Sequence, residues 1–358
     1  MRAAVYYGQK DVRIEDVEPG TVGRGQVRVD VETCGICGTD LHEYAAGPIF
    51  IPGEEPHPIS GEKLPVTMGH EFSGVVSEVG DGVDSLETGD AVAINPILSC
   101  GECRQCREGN YHICSSIGFV GLSGGGGGFS ESVVVSEHQA VPLVDGVPIE
   151  HGALVEPLAV GLHAVRRAGV QAGDVTAVFG SGPIGLSVIQ SLRAAGAGEI
   201  IVSEPRKARR DLAEQSGATT LIDPSDIDAV EEIRDLTDGG VDQTFEVAGI
   251  EATYKQAIQA TRPHGTTTIV SIFEEEASSH PIDLVLGERT ITGTLAYLGG
   301  PRADEEYGMV IDMLADGTLD VDPLITARIG LDDIVDGGFE SLLDPESNQV
   351  KILVDPNS

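Results

Sequence analysis

The sequence predicts an α/β protein in two parts. A β-barrel-like segment with long loops comes first, and a doubly wound parallel sheet follows it. Three observations predict this. Short period-two runs broken by turn residues fill roughly the first 150 residues. From Val175 onward, apolar strands alternate with helical patterns. A Gly-x-Gly-x-x-Gly turn joins the first of those strands to the helix after it.

The barrel-like part shows its strands by alternation and β-branched content. Val27-Arg28-Val29-Asp30-Val31 alternates, Gly74 to Gly80 is β-rich and ends in Gly, and Ser130 to Val135 is a third run. Glu18-Pro19-Gly20 and Thr88-Gly89-Asp90 punctuate them. In the second part Val175–Phe179 predicts a buried strand, Ile184–Ala195 a helix, Ile200–Ser203 a strand and Lys207–Gln215 a helix. Further strands are expected at Gln243–Val247 and Thr267–Ile272. From about residue 295 the pattern is mixed, closing on a strand at Gln349–Val354. Gly124 to Gly128 reads as a tight loop rather than a linker.

Charge narrows the partners. Asp plus Glu number 58 against 22 Lys plus Arg, a net charge of -36 in 358 residues. Such a surface repels phosphate backbones and anionic lipid, so neither nucleic acid nor a membrane is an expected partner. Disorder, the ordinary reading of strong net charge, conflicts with the 41% hydrophobic content and the patterned glycines. A protein made for concentrated salt fits better, because salt screens the self-repulsion. There is no apolar run long enough to span a bilayer and no signal-peptide core after Met1, so a cytoplasmic location is expected. Six cysteines in so long a chain are too few for a disulfide scaffold, and their clustering points to metal.

Two clusters carry that reading. Cys100, Cys103, Cys106 and Cys114 lie within fifteen consecutive residues. Two-residue gaps let a turn present successive sulfurs to one ion, and four thiolates leave no position for water, so the site would be structural. Four cysteines also suit an iron–sulfur cluster. Earlier, Cys37 stands in Cys34-Gly35-Ile36-Cys37-Gly38-Thr39-Asp40-Leu41-His42, where the cysteine pair alone could be half a zinc knuckle or a redox pair. With His70 of Gly69-His70-Glu71 and Glu156 of Glu156-Pro157, one thiolate, one imidazole and one carboxylate make three ligands, and a catalytic zinc keeps its fourth position open.

The turn Gly180-Ser181-Gly182-Pro183-Ile184-Gly185 has the strand–turn–helix context of a dinucleotide site. Gly180 suits the tight turn, Gly182 the approach of a pyrophosphate, and Gly185 close packing of helix on strand. Glu204 ends the next strand, about 20 residues on, where a carboxylate binds the ribose 2′-OH and favours NAD over NADP. Arg206 and Lys207, just beyond it, are candidates to soften that preference.

Together and in order, these motifs resemble the zinc-containing medium-chain alcohol dehydrogenases along the whole chain. The resemblance implies a GroES-like catalytic domain with a structural zinc lobe over 1–155, a Rossmann NAD-binding domain over 156–294, and a segment 295–358 returning to the catalytic domain. It implies two zinc ions per subunit, one catalytic on Cys37, His70 and Glu156, and one structural on Cys100, Cys103, Cys106 and Cys114. Glu71 matches a second-sphere or exchanging ligand, and Thr39 and His42 match the proton-relay positions. Arg209 matches a position on the adenine side of the cofactor, and Lys351 a basic residue near the cofactor. A homodimer or homotetramer is expected on the same ground. The stretches Glu43–Pro52, His57–Gly61, Val66–Gly74 and Gly118–Gly124 resemble the (R,R)-2,3-butanediol dehydrogenase (acetoin/diacetyl reductase) group of that family. This implies oxidation of a secondary alcohol, with 2,3-butanediol and acetoin as the expected pair. Polyol, sugar and threonine dehydrogenases share many of the motifs, and a zinc- and nucleotide-binding protein without catalysis is the other class to weigh.

Overall fold

The computed structural model describes residues 1–358. The chain divides into two compact units: Met1–Glu156 with Leu298–Gly317 and Ile325–Ser358, and Pro157–Tyr297 with Thr318–Leu324. No helix is long and apolar enough to cross a membrane.

The first unit starts with β1 (Arg2–Gly8), β2 (Asp11–Asp16), β3 (Gln26–Gly35), β4 (Val66–Thr67), β5 (Glu71–Val79) and β6 (Ala91–Ile94), then β7 (Ile97–Leu98), β8 (Gly118–Phe119), β9 (Ser132–Ser136) and β10 (Ala140–Pro142). Strand β3 is its centre, pairing antiparallel with β5 and with β9. Its sequence alternation is the reason. Val27, Val29 and Val31 are buried in the core and Asp30 between them is exposed. Burying each valine is worth about 1.5–3 kcal/mol. The longest helix among these strands, α1 (Gly38–Ala46), directly follows β3 and buries Asp40, Glu43 and Tyr44. The sequence predicts only strands and loops here. With nine residues, the helix is too short to stand out by periodicity beside strong β signals.

The second unit holds β11 (Val175–Phe179), β12 (Glu199–Ser203), β13 (Thr220–Ile222), β14 (Val241–Glu246), β15 (Thr261–Ile269) and β16 (Thr290–Gly293). All are parallel, in the order β13-β12-β11-β14-β15-β16. The order reverses direction at β11, which makes the carboxyl end of β11 the topological switch point where such sheets bind ligands. Helix Pro183–Ala194 begins there, with Gly182 as its N-cap and proline in its first turn. Strand β15 starts six residues before the expected Thr267. Thr261, at its head, shares a buried hydroxyl cluster with Thr244 and Thr267, at 2.8 and 2.9 Å. That polar pattern hid the strand from a search for apolar runs.

The chain then rejoins the first unit with helix Ala303–Ala315, β17 (Ile325–Gly330) and β18 (Lys351–Asp355). Strand β18 lies parallel to β17 and antiparallel to β3, setting Leu353 opposite Gly35 and Val354 opposite Cys34. This register brings the far C-terminal Lys351 to the end of β3 that leads to Cys37.

Candidate active site and metal centres

Cys37 is the N-cap of α1, so the helix that starts at Gly38 fixes the direction of its thiol. Asp40, three residues on, accepts the Cys37 backbone N–H at 2.9 Å through one carboxylate oxygen. Its other oxygen faces Nδ1 of His70 at 3.3 Å. The His70 ring therefore lies between Asp40 on one side and the Cys37 thiol on the other. Thr39 Oγ1 is 3.7 Å from Cys37 Sγ, and His42 follows Thr39 by three positions, on the same face of α1. Glu156 is 6% exposed and is electrostatically coupled to Lys351.

The electrostatics of this group show what would fit it. Burial pushes the Cys37 thiol up, and the charge of Glu71 adds to the rise. Burial alone would lower the His70 imidazole, but Asp40 and Cys37 hold it well above its ordinary value. A half-buried thiol, a buried imidazole and buried carboxylates crowd together with one basic side chain, Lys351. A dication held by Cys37 and His70 would displace their protons and neutralise the excess negative charge. The soft and borderline donors, thiolate and imidazole, suit zinc.

The second cluster is more explicit. The sulfurs of Cys100, Cys103, Cys106 and Cys114 all lie within 4.8 Å of one another. Neighbouring sulfurs are 3.5 Å (Cys103–Cys106), 3.5 Å (Cys100–Cys114) and 3.9 Å (Cys103–Cys114) apart. Disulfide sulfurs stand at about 2.05 Å, whereas the edge of a tetrahedron of 2.3 Å zinc–sulfur bonds is about 3.8 Å. Backbone N–H groups aim at the sulfurs: Cys103 donates to Cys100 at 3.3 Å, Cys106 to Cys103 at 3.5 Å, Cys100 to Cys114 at 3.3 Å and Ser116 to Cys114 at 3.4 Å. Amide donors from Cys106 and Ser115 hold the Cys103 thiol below its ordinary range, and those from Glu102 and Cys103 lower Cys100. Burial raises the other two, Cys106 to about 12 and Cys114 less far, so the amide donors favour thiolates at Cys100 and Cys103 only.

In the second unit, Gly180 has φ +101, and a Cβ on Gly185 would stand 2.3 Å from the Gly180 carbonyl oxygen. Gly182 is different: a Cβ there would meet only Arg209 Nη1, at 3.9 Å. The turn is thus crowded at its two ends and open at its middle, beside a guanidinium. Pro183 and Ile184 are half-buried in the first turn of the helix. Glu204, 4% exposed, accepts the Ser181 N–H at 2.9 Å on one oxygen and the Arg206 N–H at 2.9 Å on the other. The carboxylate at the end of β12 thereby ties the glycine turn to its own loop, with lone pairs still to offer. Lys207 is paired with Asp211 and Arg210 with Asp223 on their own side of the unit.

Lys351, which the resemblance places near the cofactor, is 1% exposed in the first unit. Its ammonium donates to both oxygens of Glu71, at 2.8 and 2.5 Å, and to the Ile36 carbonyl at 2.9 Å. An ammonium has three N–H donors, and all are committed within the barrel. The same contacts place Glu71, 0% exposed, in a buried pair. Two further residues, Asp40 and Glu43, belong to the site's surroundings. Asp40 was legible only as a carboxylate three positions after Cys37, in capping-box spacing. Glu43 had no signal, since its partners are backbone amides of a loop.

Comparison with known proteins agrees with this geometry. The model of the alcohol dehydrogenase GroES-like domain matches residues 23–145, and that of zinc-binding dehydrogenases matches 183–316. The chain is 48% identical over 358 residues to an (R,R)-butanediol dehydrogenase of Bacillus subtilis (strain 168), covering 100% of both chains. It is 43% identical over 360 residues to an (R,R)-butanediol dehydrogenase of Neisseria gonorrhoeae, again with 100% of both covered. Among solved structures, a 2R,3R-butanediol dehydrogenase from Bacillus subtilis superposes with a TM-score of 0.93 over 99% of both chains at 48% identity. A zinc-binding dehydrogenase from Sinorhizobium meliloti 1021 bound to NADP superposes with a TM-score of 0.88 at 34% identity, covering 99% of both.

Proposed function

We propose, for a chain that belongs to the zinc-containing medium-chain alcohol dehydrogenases, that it interconverts 2,3-butanediol and acetoin with NAD(H). The alcohol dehydrogenase activity with zinc and a nicotinamide cofactor follows from the family. The observation that carries the substrate is likeness over the full chain, without gaps in coverage, to butanediol dehydrogenases of two bacteria.

When bound, zinc supplies Lewis acidity to the substrate oxygen and the nicotinamide supplies hydride exchange. The chain's own residues do the rest. Cys37, His70 and Glu156 would hold the catalytic zinc, and Asp40, facing His70 Nδ1, would fix the ring as second-sphere carboxylates do. The Lys351–Glu71 pair tempers the negative charge around the donors. The Thr39 hydroxyl takes the proton of the substrate alcohol, and His42, on the same face of α1, carries it toward solvent. Cys100, Cys103, Cys106 and Cys114 hold a second, structural zinc. Glu204 receives the adenosine ribose hydroxyls, which favours NAD over NADP, and Arg209 flanks the adenine side. The family resemblance supports a homodimer or homotetramer, and light scattering reads this directly.

A panel of the 2,3-butanediol isomers, acetoin, sorbitol, glucose and threonine with NAD tests the reading. The (R,R)-diol should show the highest kcat/KM. Highest turnover with sorbitol, glucose or threonine would instead assign a polyol, sugar or threonine dehydrogenase. Zinc-loaded protein that turns over none of them would point to a non-catalytic role.

The same panel run in low and multimolar KCl tests adaptation to salt. A net charge of -36 repels itself over about 10 Å at 0.1 M salt but only about 3 Å at 1 M. The unfolding midpoint is expected to climb as KCl rises, and a midpoint indifferent to salt would remove the halophilic reading.

A further inference from the structure

Glu43 is a carboxylate with 0% exposure and no cation against it. It sits in the last turns of α1, where the negative end of a helix disfavours an acid. Its oxygens instead accept three successive backbone N–H groups: Ile49 at 2.9 Å, Phe50, and Ile51 at 3.0 Å. Consecutive amides converging in this way make an anion nest. The neighbourhood is equally committed. The Glu43 carbonyl accepts Tyr6 Oη at 2.7 Å and the Gly47 N–H at 2.9 Å. Burial and the nearby Glu43 push the Tyr6 phenol up to about 12. A Cβ on Gly47 would stand 2.5 Å from a Glu43 carboxylate oxygen. The held segment has a defined polarity: Ile51 is 3% exposed, in the barrel core, whereas Ile49 and Phe50 are 51% and 41% exposed.

We propose that Glu43 is the residue that determines substrate specificity by position, holding Ile49 and Phe50 at a fixed offset from the helix that carries Cys37, Thr39 and His42. The proposal rests on the reading that Cys37 binds the catalytic zinc. Two apolar side chains held beside that helix suit the terminal methyl groups of a short vicinal diol. They leave the extra hydroxyls of a hexitol or sugar unpaired, and unpaired polar groups are rejected far more strongly than a missing methylene. A water-exposed loop of this length would otherwise sample many conformations. The buried carboxylate selects one.

The test uses zinc-loaded Glu43→Gln and Glu43→Ala, with zinc content, hydrogen exchange at the amides of residues 49–51, and kcat and KM for butanediol and sorbitol. The glutamine keeps one carbonyl acceptor and the size of the side chain, so it serves if the alanine variant fails to fold. Exchange at 49–51 is expected to quicken by about tenfold or more. KM for the diol should rise about tenfold, with kcat within about threefold, zinc content unchanged and the preference over sorbitol reduced. Unchanged exchange, or kcat and KM altered alike for every alcohol, would overturn the proposal. If the wild-type enzyme prefers another alcohol, the butanediol reading falls, and the same KM ratio is then read with that alcohol. If it turns over none, there is no specificity for Glu43 to determine and the proposal falls with that reading.

Discussion

Lys351 and Glu71 form an ion pair in which each side chain is 1% exposed, although 280 residues separate them in the chain. The pair lies against the backbone that leads into Cys37, because Lys351 also donates to the Ile36 carbonyl. Burial alone would lower the lysine; the charges of Glu71 and Cys37 hold it raised instead.

Lys351→Met should therefore act on stability and metal retention, with cofactor affinity spared. Removing one partner leaves Glu71 buried without its cation, at a cost of about 3–5 kcal/mol. Urea unfolding reads the loss. Metal analysis should show weaker zinc retention, while the dissociation constant for NADH, measured by fluorescence, stays within about twofold. A large loss of NADH affinity with normal zinc would instead assign Lys351 to the cofactor.

Cys103→Ser should remove one zinc ion per chain and leave the other. The hydroxyl is a poor substitute for a thiolate that receives amide donors from Cys106 and Ser115. Residues 100–114 should then become the first site of limited proteolysis, with a fall in Tm, because metal binding there is folding free energy. A zinc content that is the same in variant and wild type would contradict the structural assignment.

Glu204→Ala should lower kcat/KM with NAD by roughly tenfold or more and raise the relative use of NADP. The carboxylate that repels a 2′-phosphate is gone, and Arg206 is adjacent to receive it. The variant also loses the bond from the Ser181 amide, so NAD binding weakens by two routes. Equal losses with both cofactors would mean that Glu204 only braces the glycine turn.

Gly121→Ala should cripple the enzyme through His70. Gly121 has φ +87, and its Cβ would stand 1.9 Å from the Gly69 carbonyl oxygen and 3.1 Å from the His70 amide nitrogen. Backbone cannot yield as a flexible side chain would, so His70 must shift. Loss of activity together with about 2 kcal/mol or more of stability is expected, and wild-type kinetics in the variant would refute the account.

The four-cysteine lobe and the nucleotide turn were legible because each is local. The four lobe cysteines lie within fifteen residues, and their spacing by itself puts sulfurs on one turn. The glycine turn carries its strand and helix with it, and Val175–Phe179 matched the observed strand residue for residue. The roles of Asp40, Glu43 and Lys351 were not legible. Asp40 meets His70 across thirty residues, Glu43 binds amides whose side chains carry no sign of it, and Lys351 finds Glu71 only through the pairing of β18 with β3.

By itself, then, the sequence determined the two-part α/β class, the thiolate lobe, the dinucleotide turn and the family. These are features whose donors and acceptors lie within a few residues of one another, so chain geometry alone brings them together. Only the tertiary structure decided that Lys351 pairs with Glu71, and that Glu43 grips the loop after α1. Those contacts depend on strand register and on burial. A charged group's partner in a low-dielectric interior is whichever group the fold delivers to it, and the linear order of residues does not name that group.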